Sequence, residues 1–148
     1  MVEPPLEDLF PGLRGQHYEI KSPKEGRYNC VAWAAGDNRK WWWPDTLGED
    51  VWPEGVPREV TLPAFRDAFV TLGYAVCDHE LPEAGSEKVA LFALGGVPKH
   101  VARQLPTGRW TSKLGQREDI EHALHDLTGL LYGSVALVMK RPVAVTAG

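Results

Sequence analysis

The chain has 148 residues, 43% of them hydrophobic and 24% charged, with a net charge of −4. This is the balance of one globular domain with a core of its own, not of a disordered or fibrous chain. The negative charge speaks against nucleic acid as the main partner, and no apolar run approaches the ~18 residues of a membrane span.

Residues 1–27 are rich in Pro, Gly and charge and read as an extended N-terminal arm, anchored by Leu9, Phe10 and Leu13. Glu3, Glu7 and Asp8, with no early Lys or Arg, are unlike a Sec-type signal peptide. The expected location is therefore cytoplasmic, with export by a signal-independent route as the other option. Residues 28–142 read as a single domain and 143–148 as a tail. Asn29 is a good N-cap for a helix running to Asp37, with Gly36 as its stop signal, which puts Cys30 at the first helical position. Residues 38–58 hold Trp41, Trp42 and Trp43 in a row, together with Pro44, Pro53 and Pro57. They read as one long loop, and loops of that length in a small domain are commonly functional.

A second helix starts at the cap Thr61, with Leu62, Phe65, Phe69 and Leu72 at helical spacing and Gly73 at its end. Tyr74–Cys77 reads as a short strand, Lys88–Leu94 as a buried strand and His100–Leu105 as the next one. A turn at 106–109 leads to a strand over Trp110–Leu114. Glu118 and Asp119 open a last helix to about Leu127, and Ser134–Lys140 is the final strand. The fold class is α+β, with N-terminal helices packed on an antiparallel sheet.

Three residues stand out chemically. A thiol at a helix start feels the positive end of the helix dipole and unpaired N–H groups, so the Cys30 pKa is expected to fall. The same N–H groups suit a developing oxyanion. His100 opens a strand after a Gly-Gly turn, so it is expected at the sheet edge, where it suits a base for the thiol. Ser112, on the following strand, is placed to orient the imidazole, with Thr111, Gln116 and Asp119 as alternatives. His17 and His79 fall in loops; His122 and His125 fall on the last helix, where solvated ion pairs are expected. Cys77 is expected to be packed, and two cysteines do not make a disulfide scaffold.

The three consecutive tryptophans cannot all face one core, so at least one is expected to be partly exposed. With Tyr28, Asn29, Trp33 and Trp110, the residues Trp41, Trp42 and Trp43 are the candidate substrate wall; the other reading is a loop stapled down by aromatic burial. Lys99, Arg103, Arg109 and Lys113 surround the proposed site and would favour an anionic group. There is no metal-ligand spacing and no Gly-rich phosphate loop, so neither metal nor organic cofactor is implied.

A cysteine at a helix start, then a sheet, then a histidine opening a strand resembles the papain-like cysteine peptidase fold. The resemblance is closest to the compact NlpC/P60-type bacterial cell-wall amidases and endopeptidases. His100 to Ser112 (HVARQLPTGRWTS) is similar to that group's histidine strand, turn and third-residue strand, with Ser112 where His, Asn or Gln is common. Tyr28 to Ala34 (YNCVAWA) is similar to its cysteine turn, without the usual Asp-Cys-Ser-Gly. YNCVAWA, WWWP, EKVALFA, HVARQL and GRWTSKLG also resemble a group of uncharacterised small bacterial proteins, over residues 16–142. The first resemblance implies a cysteine hydrolase or acyl-transfer enzyme acting on a peptide, amide, isopeptide or thioester bond. Cys30 would be its nucleophile, His100 its base and Ser112 the orienter. The alternative is a catalytically weak or inactive binding module or effector domain that recognises a partner through the Trp-rich loop.

Overall fold

The computed structural model describes residues 5–143; Glu3 of the expected arm and 144–148 of the expected tail lie outside the described residues. The helices are α1 (Leu6–Leu9), α2 (Cys30–Ala35) and α3 (Leu62–Val70). The strands are β1 (Glu19–Ser22), β2 (Ala75–Val76), β3 (Ser86–Leu94), β4 (Val97–Gln104), β5 (Trp110–Lys113), β6 (Asp119–His122) and β7 (Ser134–Pro142). They form one sheet in the order β1-β6-β5-β4-β3-β7-β2, with every neighbour antiparallel. The fold is thus mixed α+β.

Successive side chains of a strand point to opposite faces, and here both faces are covered. Val89, Leu91, Val101 and Met139 meet Val31 and Ala34 of α2 and Phe65 and Phe69 of α3. Ala90, Phe92, Ala102 and Ile120 meet Leu6, Phe10, Leu13, Leu124 and Leu127 on the other side. This explains the unbroken apolar run in β3, since a strand buried on both faces has no polar side to show. His100 lies on β4, the central strand of the sheet.

Two parts differ from expectation. The arm does bury Phe10 and Leu13, but it also forms α1 and β1. Strand β1 (EIKS) pairs at the sheet edge with β6, and its mostly exposed, charged sequence carries no alternating signal. The expected last helix is instead β6 followed by a 3-10 turn over Leu124–Leu127. Asp119 and His122 face inward there, and pairing with β5 over Trp110–Lys113 overrides the acidic residues that resemble a helix start.

Both sequence caps form. Thr61 Oγ1 accepts from the Ala64 N–H at 3.3 Å, an ordinary cap. Asn29 does more. Its Oδ1 accepts from Ala32 N–H and from Trp42 N–H, each at 3.1 Å, and its Nδ2 donates to the Trp42 carbonyl at 2.7 Å. One side chain therefore fixes the start of α2 and the middle of the tryptophan loop. Thr61→Ala should cost about 1 kcal/mol, the usual price of a lost cap, while Asn29→Ala should cost about 3 kcal/mol because the half-buried backbone N–H and C=O of Trp42 also lose their partner. Urea unfolding of the two variants checks this; equal losses would show that Asn29 is only a cap.

Candidate active site

Cys30 begins α2 and is buried, with 6% of its surface exposed. It borders a cleft of about 370 Å³ that is also lined by Asn29, Trp41, Trp43, Lys99, Gly115 and Tyr132. The walls are held from behind. The Trp43 ring packs edge-on against Phe65, with centroids 5.4 Å apart. The loop itself is closed by Trp43 N–H to Val51 O at 3.1 Å and Val51 N–H to Trp41 O at 3.0 Å. Arg58 clamps it further through Asp45 at 2.8 Å.

His100 is fully buried, not at an exposed edge as its position after the Gly-Gly turn suggested. The reason is its register: it lies opposite Phe92, on the face covered by the second core cluster. Its ring stacks on Tyr132 with centroids 4.2 Å apart and planes 4° apart, and Phe92 meets it edge-on at 5.4 Å. Tyr132 is placed by Gly133, whose φ is +72° and where a Cβ would lie 1.9 Å from the Ala93 carbonyl oxygen. Only glycine fits that position.

A chain of hydrogen bonds leads away from His100. Its Nε2 lies 2.8 Å from Ser112 Oγ, Ser112 Oγ lies 2.7 Å from His122 Nε2, and His122 Nδ1 lies 2.7 Å from the Ala123 carbonyl oxygen. A carbonyl oxygen only accepts, so His122 Nδ1 carries a proton. Burial pushes the His122 pKa down to about 4, and it holds His100 well below the ordinary imidazole range, with the nearby His122 adding to that effect. Both rings are therefore neutral near pH 7, and His122 Nε2 is an acceptor. Ser112 donates to it and accepts from His100 Nε2–H. His100 Nδ1 is then left with a lone pair, and it is buried without a hydrogen-bond partner among the described residues.

Ser112 is thus the partner of His100, ahead of Thr111, Gln116 and Asp119. Thr111 Oγ1 instead accepts from the Trp33 indole at 3.0 Å. His122 is the residue that sequence reading missed. Its buried role depends on pairing with Trp110 across β5 and β6, whereas His125 is exposed, with its Nε2 2.9 Å from a Glu80 carboxylate oxygen. The usable signal was the alternation over Ile120 and His122, masked by the helix-like Glu118-Asp119.

The thiol departs from expectation. Burial pushes the Cys30 pKa up to about 11, outweighing the Val101, Val31 and Cys30 amides and the Lys113 ammonium, which all act the other way. The thiol lies beside the amide of Val101, the residue after His100. Among the described residues no hydrogen bond joins it to the imidazole. Cys30 is accordingly a neutral thiol here, not half of a thiolate–imidazolium pair.

Of the candidate wall residues, the structure brings Asn29, Trp41 and Trp43 to the cleft. Trp42 is half-buried against the core and its indole N–H donates to Asp37 at 2.9 Å. Tyr28 is buried with the Lys113 ammonium 4.9 Å from its ring centroid. Trp110 is core, 2% exposed, because its position in β5 points it at the second cluster. Trp33 lines a separate groove of about 840 Å³ with Arg103, whose guanidinium lies 5.5 Å from the indole centroid. Arg109 is engaged by Glu121 at 3.1 Å and Lys113 by the Glu25 and Gly115 carbonyls, so among the four basic residues only Lys99 lines the cleft. Cys77 is half-buried just beyond β2, its Sγ 3.5 Å from the His79 carbonyl oxygen.

The chain matches, over residues 19–140, the family described as Domain of unknown function (DUF7689), and it belongs to that family. No curated protein and no solved structure matches it. No helix among the described residues is long and apolar enough to cross a membrane.

The buried histidines make stability depend on pH. An unfolded His122 takes up a proton near pH 6.5, whereas the folded one resists to about 4. Its contribution is therefore complete above about pH 6.5 and is lost as the pH falls, by about 2 kcal/mol at about pH 5, with His100 adding in the same direction. Urea unfolding across about pH 7.5 to 5, above the carboxylate range, checks this; a flat profile would show that the two rings are not buried as neutral bases.

Proposed function

We propose that this DUF7689 member is a cysteine hydrolase or acyl-transfer enzyme of papain-like kind, acting on a peptide, amide, isopeptide or thioester bond. The observation that carries the reading is the directed chain from the Ala123 carbonyl to His100, which leaves Nδ1 as a free base next to the strand segment that meets Cys30. The NlpC/P60 resemblance of the cysteine and histidine segments supports it. Ser112 alone is a weak orienter, but with its own proton held by His122 its oxygen can only accept, which fixes the His100 tautomer.

In this reading His100 Nδ1 takes the Cys30 proton as Sγ attacks the carbonyl carbon. The backbone N–H of Cys30 faces the oxyanion that forms. The tetrahedral intermediate collapses, the bond to the leaving group breaks, and His100 returns the proton to that group. Water, or an acceptor nucleophile, then gives its proton to Nδ1 and attacks the thioester. The acyl group leaves and the thiol is restored. A neutral thiol with a general base suits this sequence without a preformed ion pair.

The raised thiol pKa and the absence of a Cys30–His100 hydrogen bond favour a second reading, a binding module that keeps the architecture without turnover. Incubation with 4-nitrophenyl acetate, followed by peptide mass spectrometry, separates the two. The hydrolase reading expects transient acetylation of Cys30 and not of Cys77, slowed about a hundredfold or more in His100→Ala and about tenfold in Ser112→Ala and His122→Gln. Acetylation of Cys30 that is indifferent to His100, or none at all, would support the binding module.

A further inference from the structure

The cleft beside Cys30 has one cation and a cause for its placement. Strands β3 and β4 pair Phe92 with His100 and Ala93 with Pro98, so Lys99 has no residue opposite it: it is the extra residue of a β-bulge. Bulges re-aim side chains, and they recur beside active sites. Here the bulge leaves Lys99 outside the ladder, exposed and lining the cleft, one residue from the buried His100. The same place in β3 is irregular on its other side, where Leu91 pairs with Leu137 and Phe92 with Val135.

The Lys99 ammonium is unpaired among the described residues, unlike Lys88, Lys113 and Lys140, which are all engaged by carboxylates or carbonyls. No carboxylate is among the described residues lining the cleft. The other walls are the Trp41 and Trp43 indoles and the Tyr132 ring. A volume of about 370 Å³ is at the small end for a ligand cavity, too small for an extended peptide.

We infer that the cleft selects a short, carboxylate-bearing acyl compound, with Lys99 as the specificity-determining counter-ion. A single cation between aromatic walls matches a monoanion; a phosphate dianion would leave excess charge against the indoles. The acyl spacer lies between the rings, and the carboxylate sits one residue along β4 from His100. Amides, esters or thioesters of small dicarboxylic acids have this form. The inference rests on Cys30 as the reacting group of the proposed hydrolase, and it adds what that site accepts.

Two small thiol reagents of equal reach test it: iodoacetate, a carboxylate, and iodoacetamide, its neutral counterpart. Thiolate formation is common to both, so the ratio of their rates at Cys30 isolates the charge preference. In the intact protein that ratio should exceed the ratio at Cys77. Lys99→Gln should lower it about three- to tenfold, Lys99→Glu further, and added salt should lower it in the wild type. Arg66→Gln, the same charge change at an exposed position of α3 that does not line the cleft, should leave it unchanged. Thermal melting establishes that each variant is folded, which is expected for an exposed lysine. A Cys30 ratio equal to that of Cys77 and indifferent to Lys99 would overturn the inference. A preference that survives while 4-nitrophenyl acetate never acylates Cys30 would sink the hydrolase reading and leave the anion site standing.

Discussion

Three strands of this protein are joined at one buried polar line: His100 on β4, Ser112 on β5, His122 on β6 and the Ala123 carbonyl beyond it. Polar groups this deep are costly unless each is paired, and a chain with one fixed direction pairs them all but the last. That last atom, His100 Nδ1, is where the chemistry is proposed. The chain also limits the fold around it. Ser112 bridges the two imidazoles only if β5 and β6 keep the register that pairs Trp110 with His122, and His100 reaches Ser112 only in the register that pairs it with Phe92. Tyr132 then closes the ring from its face, held there by a glycine that no other residue could replace.

Helix α2 supplies the thiol, and the two sides meet at Tyr132, which lines the Cys30 cleft and stacks on His100. Asn29 ties the start of α2 to Trp42, so the helix that carries Cys30 and the loop that carries Trp41 and Trp43 are set by one side chain. Burial of Cys30 costs it thiolate character, which is the opposite of what a helix start alone would do. Removing water penalises the charged form more than a few amides favour it. The same enclosure strengthens any charge interaction within the cleft, which is why an unpaired Lys99 at its margin bears on what can enter.

Local chemistry was legible in the sequence, and long-range pairing was not. Asn29, Gly36, Thr61 and the Gly95-Gly96 turn mark their elements through short-range rules, and the structure has α2, α3 and the β3–β4 hairpin at those places. The spacing of His100 and Ser112 around a tight turn was legible for the same reason. Strand β1 was not, because an edge strand with exposed Glu19 and Lys21 has no apolar alternation to read. His122 was misplaced because Glu118-Asp119 looks like a helix start until β5 claims the segment. The burial of His100 was hidden because it follows from the pairing with Phe92 and from the second core cluster that covers that face of β4, neither of which is written next to it in the sequence.

The central claim is the protonation pattern of the two buried imidazoles, and side-chain ¹⁵N NMR at neutral pH reads it directly. The account predicts two neutral rings of opposite tautomer, with the proton on Nε2 in His100 and on Nδ1 in His122. A proton on His100 Nδ1, or a cationic ring at either position, would contradict it, because no free base would then remain to take the Cys30 proton.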